Sequence, residues 1–187
     1  MNILPRAGGI IICLLTVACA TAPRSPTVLS IPTQVEPPTT SQTPTVCFSP
    51  EGKCDEVLIR FMQSAKASLD VAVFDLNLDA VVQVLVASFK DIPVRVVVDR
   101  RQAKGAKSLV LELVRAGVPV RYGKQAGIMH NKFAIVDGKW LETGSFNYTK
   151  GAATKNNENQ IYLDTHAIVQ KYQARFDLLW ETSTPAK

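Results

Sequence analysis

The chain has 187 residues, 47% of them hydrophobic, and a formal net charge of +5. That length suggests one domain with appendages, and that composition excludes a chain without a packed core. The charge is uneven: residues 95–155 carry twelve Lys/Arg against four Asp/Glu, whereas residues 46–94 are net acidic. A basic cluster suits a solvated face or an anionic ligand such as nucleic acid or phospholipid.

Residues 1–22, MNILPRAGGIIICLLTVACATA, place Arg6 before the apolar run Ile10–Ala18 and small residues after it. The pattern predicts a secretory signal, too short to span a bilayer comfortably. TVAC, ending at Cys19, resembles a bacterial lipobox, with Cys19 lipidated and the protein held at a membrane by that lipid. Ala18-Cys19-Ala20 offers instead a small-x-small cleavage site that would release a soluble protein, and an uncleaved anchor is a third reading. Residues 23–46 are rich in Pro, Thr and Ser and read as an extended, disordered tether. The expected location is the periplasm, where Cys47 and Cys54 could close a short disulfide loop, free thiols being the alternative. No nearby histidine or further cysteine completes a metal-ligand set around them.

The folded domain is expected over residues 47–187. Apolar spacing predicts a helix over 55–68, a strand over 69–75, a helix over 78–90 and a strand over 93–99. A helix over 103–116 follows, closed by Gly117, and then a strand over 118–122. Residues 130–137 and 139–143 read as a hairpin turning at Asp137-Gly138. A strand over 159–163 and a helix over about 165–182 complete the chain. Strands alternating with helices predict an α/β fold with a mixed, mainly parallel sheet flanked by helices on both faces. There is no internal repeat.

The chemistry concentrates at IMHNKFAIVDGKWLETGSFNYTKGA, residues 128–152. In a strand, residues i and i+2 share a face, so His130 and Lys132 project together while Met129 and Asn131 point away. Asp137 is an odd number of residues from His130 and therefore faces elsewhere, as a structural residue of the turn. Gly144-Ser145-x-Asn147 lies at the end of the paired strand, and Glu158 just before another.

His130-x-Lys132, Asp137 and Gly144-Ser145-x-Asn147 together resemble the HKD motif of the phospholipase D superfamily. The resemblance is to its small, single-motif bacterial endonucleases and runs over roughly residues 47–182. It implies the phospholipase D-like fold, no cofactor and no metal. It also implies roles: one His130 attacks phosphorus to form a phosphohistidine, and a second protonates the leaving oxygen. Lys132 and Asn147 would hold the non-bridging oxygens, Ser145 would shape their pocket, and Glu158 would hydrogen-bond the imidazole. The chemistry stands on general grounds too. A nucleophile divides one hard displacement into two easier ones, and an imidazole titrates near neutral pH.

Only two histidines are present, and His166 has Ile168 where a lysine would be needed. The second imidazole must then come from a second copy, which predicts a homodimer with one site on its two-fold axis. The expected activity is metal-independent, non-specific cleavage of DNA or RNA phosphodiesters, with Arg100, Arg101, Lys104 and Lys124 as backbone contacts. Trp140, Tyr148 and Tyr122 are candidates for stacking or for the core. A phospholipase D acting on phosphatidylcholine-type lipids is the rival activity, and a non-catalytic nucleic-acid or envelope-binding module a further one. A metal-dependent nuclease would have to draw on Asp70, Asp75 and Asp79. Asp75 and Asp99 end strands near the site and read as caps or cleft residues.

Overall fold

The computed structural model describes Met1, residues 44–123 and residues 127–187. The candidate signal with Cys19, nearly all of the tether, and Lys124 lie outside the described residues. The elements are β1 (Thr45–Ser49), α1 (Cys54–Gln63), β2 (Leu69–Val73), α2 (Asp79–Phe89), β3 (Val94–Val98), α3 (Arg100–Ala103) and α4 (Val110–Arg115). They continue with β4 (Val120–Tyr122), β5 (Lys132–Val136), β6 (Trp140–Gly144), α5 (Lys150–Thr154), β7 (Glu158–Leu163), α6 (His166–Thr182) and β8 (Thr184–Pro185).

The strands form one sheet in the order β1-β7-β6-β5-β2-β3-β4-β8. It is mixed, as expected, but not mainly parallel: β2–β3 and β3–β4 are parallel and the other pairings antiparallel. Helical crossovers deliver β3 and β4, and parallel pairing requires such connections. From β5 onward neighbours pair antiparallel, β5 and β6 through a tight turn and β6 and β7 through a connection that carries α5.

β2 and β5 are buried at every position, as central strands covered on both faces must be. On one face Leu69, Val71 and Val73 pack with Val57, Leu58, Phe61 and Met62 of α1 and with α2. On the other, Ala72, Phe133 and Ile135 meet Val169, Phe176 and Leu179 of α6. Part of the basic excess is consumed under α6. Arg95 is held by Asp70 at 2.7 Å and Asp177 at 3.0 Å and lies over the Phe176 ring. Arg121 donates to the Trp180 carbonyl at 2.7 Å.

Other departures from the sequence reading have local causes. The helix expected over 103–116 is broken into α3 and α4, because the Asp99 carboxylate caps α3 early and Gly105 interrupts the run. The fold begins at Thr45, two residues before the expected boundary, because β1 adds to the sheet edge beside β7. Cys47 and Cys54 form a disulfide joining β1 to the start of α1. Among the described residues no helix is long and apolar enough to cross a membrane.

The topology sorts the candidate residues between the two ends of the sheet. Val73 at the end of β2 pairs with Lys132 at the start of β5. Gly144 at the end of β6 pairs with Gln160 in β7, and Ser49 at the end of β1 with Glu158. The ends of β1, β2, β3, β4 and β6 and the starts of β5 and β7 therefore share one rim. Asp137 lies at the opposite rim, in a left-handed conformation (φ 56°) followed by Gly138 (φ 63°), as a type I′ hairpin turn requires. Its carboxylate accepts the N–H groups of Lys66, Ala67 and Ser68 at 2.7–3.1 Å. It pins the α1–β2 loop, a structural role in agreement with strand parity. His166 also belongs to that far rim, at the start of α6 beyond the end of β7.

Candidate active site

His130 precedes β5 and is exposed, while Lys132, its first residue, is only 7% exposed. Both face Phe74, which follows β2. The imidazole meets the Phe74 ring edge-on with centroids 4.6 Å apart, and Lys132 Nζ sits 5.0 Å from the centre of the same ring. Lys132 Nζ also donates to the His130 carbonyl at 2.9 Å. One aromatic ring thus positions both expected catalytic groups, with a cation–π contact that favours the charged ammonium. Met129 is buried under α6 on the other face, and Asn131 Nδ2 contacts its sulfur at 3.4 Å, in agreement with the alternation.

A second anchor lies one residue before the histidine. The buried Asp99 carboxylate caps α3 through Arg101 N–H at 2.9 Å and Gln102 N–H at 3.1 Å. Its other oxygen accepts the Met129 N–H at 3.0 Å. Asp99 therefore ties the end of β3 to the approach of His130. Capping was foreseeable from an acid ahead of a helix; the bond across 30 residues was not.

The glycine turn supplies the remaining groups. Gly144 lies so close to β7 that an added Cβ would stand 2.0 Å from the Asn159 carbonyl oxygen. That approach lets Ser145 N–H bond Asn159 O at 3.1 Å and brings Ser145 Oγ against a Glu158 carboxylate oxygen. The other Glu158 oxygen accepts from Asn156 Nδ2 at 2.9 Å. Among the described residues, then, Glu158 is engaged by Ser145 and Asn156, and the bond expected to His130 of the same chain is not formed. Asn147 Oδ1 is enclosed without a hydrogen-bond partner among the described residues. An amide so placed can present either end to a ligand after rotation. Burial pulls the Lys132 pKa down, and the Glu158 carboxylate pushes it back up.

Beneath the site is a buried pair. The Tyr148 hydroxyl donates to Glu142 at 2.6 Å, and the Tyr148 carbonyl accepts from Asn77 and Leu78 N–H. This holds the turn bearing Asn147 against the end of β2, and it makes Tyr148 a core residue. Burial raises the Glu142 pKa from 4.5 to about 8, against the Tyr148 hydrogen bond that lowers it. The folded protein therefore binds this proton more tightly than the unfolded chain. Stability from that group is full below pH 4.5 and is lost as pH rises through about 8. Urea titrations across this window should show the unfolding free energy falling with pH, and Glu142→Gln should flatten that slope. An unchanged slope in the variant would show that the carboxyl titrates normally.

The expected substrate cations separate. Arg100 donates to Thr184 at 2.9 Å and lies 5.8 Å from the centre of the Tyr122 ring, so it is tied to β8 and β4. Arg101 and Lys104 are exposed on α3 at the active rim. The three acids weighed as metal ligands disperse: Asp70 serves Arg95 under α6, Asp79 pairs with Lys150 at 2.6 Å, and Asp75 lies at the rim. Among the described residues no group of three or more His, Cys, Asp or Glu is placed to hold a metal ion.

An exposed imidazole and a buried lysine set against one aromatic ring, with the Asn147 amide on the same rim, define an α/β protein with a polar site at one end of its mixed sheet. The chain matches the family model described as "Cardiolipin synthase, PLD-like domain" over residues 58–180. It is 38% identical over 122 residues to a mitochondrial cardiolipin hydrolase of Chlamydomonas reinhardtii, covering 65% of this chain and 55% of that protein. It is 30% identical over 129 residues to a phospholipase D of Rickettsia prowazekii, covering 68% of this chain and 63% of that one. The crystal structure of Nuc from Salmonella typhimurium, a phospholipase D family member, superposes with a TM-score of 0.73 at 29% identity. That match covers 78% of this chain and 98% of Nuc. The chain belongs to the phospholipase D superfamily, and it spans little more than half the length of the first curated relatives it matches.

Proposed function

We propose that this protein is a metal-independent phosphodiesterase that cleaves nucleic acids as a homodimer. The observation that carries the reading is the placement of the two histidines: His130 lies beside Lys132 at the active rim, and His166 lies at the far rim. One chain therefore offers the site one imidazole, whereas phosphohistidine chemistry uses two. In the first step one His130 nitrogen bonds phosphorus while the P–O bond breaks, and His130 of a second copy, as the imidazolium, protonates the departing oxygen. In the second, that same imidazole takes a proton from water, whose oxygen bonds phosphorus as the P–N bond breaks and frees the first His130. Lys132 and Asn147 offset charge on the non-bridging oxygens throughout.

The near-complete coverage of Nuc supports a nuclease. A second reading, hydrolysis of phospholipid, is favoured by the relatives named cardiolipin hydrolase and phospholipase D. Export under the N-terminal signal, with Cys19 lipidated, is consistent with a disulfide between Cys47 and Cys54, which an oxidising periplasm would preserve. The test is to incubate the purified protein with chelator and either plasmid DNA or phosphatidylcholine vesicles. Cleaved DNA is the expected result. Hydrolysis of lipid alone, or a strict need for added Mg²⁺, would overturn the assignment.

A further inference from the structure

Beside the catalytic rim lies an open cleft of about 770 Å³, between the loop at residues 106–109 and α5 with its flanking residues Thr149 and Lys155. Its size is that of ligand-binding clefts generally, roughly 300–1,000 Å³. It adjoins the site through the chain on both walls. Asp75 on one wall follows Phe74, the ring against His130, and Thr149 on the other follows Asn147 by two residues.

The lining is rich in donors. Lys107, Lys150 and Lys155 surround it, and among the described residues Lys107 and Lys155 have no ion-pair partner. Lys150 pairs with Asp79, but both are exposed, and such pairs are weak enough to be exchanged for a phosphate. The hydroxyl oxygens of Ser108 and Thr149 accept from the N–H groups of Val110 and Ala152. Asn77 Oδ1 likewise accepts from Lys150 N–H. These acceptors are occupied by the protein's own backbone, which leaves the hydroxyl hydrogens and the Asn77 Nδ2 to a ligand. Asp75 is the one carboxylate in the lining, and burial pushes its pKa up.

We propose that this cleft is a phosphate-backbone subsite, holding a nucleic-acid strand to one side of the phosphate attacked at His130. The inference rests on the phosphodiesterase reading and deepens it: a strand with flanking phosphates fills both places, whereas a lone head group fills only the first. Such a subsite would favour polymers without any base-reading element, because backbone contacts carry affinity and not sequence.

The experiment compares the full protein with Lys107→Glu/Lys155→Glu and with Lys107→Arg/Lys155→Arg, on DNA strands from a dinucleotide to about 30 nucleotides. Binding of a fluorescent 30-mer is followed in parallel by anisotropy against salt. The Glu pair should raise KM for the long strand at least tenfold, with the loss shrinking as the strand shortens, and the Arg pair should restore it. The salt slope of binding should fall by about 0.7–0.9 per lost phosphate contact. Equal loss at every length, or an unchanged long-strand KM and salt slope, would overturn the subsite. Weakened hydrolysis of anionic vesicles with DNA cleavage intact would assign the cleft to lipid. Should the wild type cleave no DNA, the nuclease reading fails, while anisotropy still decides whether the cleft binds the strand.

Discussion

Replacing His130 with Asn should lower kcat for phosphodiester cleavage by about 10⁴-fold or more, because it removes nucleophile and proton donor together. Stability should hardly change. The ring is exposed and its described contacts are the Phe74 edge and solvent, so the cost in unfolding free energy should be about 0.5 kcal/mol or less. Rapid-quench assays with 5′-labelled DNA, beside thermal melts, would check both halves. Residual activity near wild type would mean that another group attacks phosphorus. Collapse of the melt would mean that the imidazole is structural.

The second large effect is expected at Gly144, which performs no chemistry. Its Cα faces β7 with no room for a methyl group, and the obstruction is the Asn159 carbonyl, which is backbone and cannot rotate aside. Gly144→Ala should separate β6 from β7 at the Gly144–Gln160 pair, costing about 1–3 kcal/mol as overpacking does. Ser145 loses its approach to Glu158 and the turn bearing Asn147 shifts, so kcat should fall about 10²-fold even where the protein remains folded. Melting temperature and kcat measured on one preparation separate the two losses. Wild-type values for both would mean that the strands can part without disturbing the site.

The legible parts of the site were those set by local geometry. Alternation carried over from the expected strand 130–137 put His130 with Lys132, turned Met129 away and assigned Asp137 to structure, although β5 itself spans only Lys132–Val136. These assignments follow from the two-residue period of a strand, whatever its neighbours. Phe74 was not legible, because its contact with His130 depends on β5 lying beside β2, a pairing that no local pattern encodes. For the same reason the bond from Asp99 to Met129 escaped notice, as did Lys107, Lys150 and Lys155, whose loops meet only in the fold. The direction of the sheet was misjudged because the early parallel crossovers were extended to β5, β6 and β7, which pair antiparallel through a tight turn and a connection carrying α5. β1 was hidden by the Pro- and Thr-rich residues before it. Glu158 was legible as a candidate, but its partners, Ser145 and Asn156, depend on how tightly Gly144 lets β6 and β7 approach.

On the proposed reading, His130, exposed and with no second histidine at its rim, needs a second copy of the chain to complete the site. The most direct test mixes wild-type protein with the His130→Asn variant, allows subunits to exchange, and measures DNA cleavage against the wild-type fraction. If two copies of His130 complete one site, activity follows the square of that fraction, about one quarter at an equal mixture. Activity in linear proportion, about one half at the same mixture, would show that each chain carries a complete site.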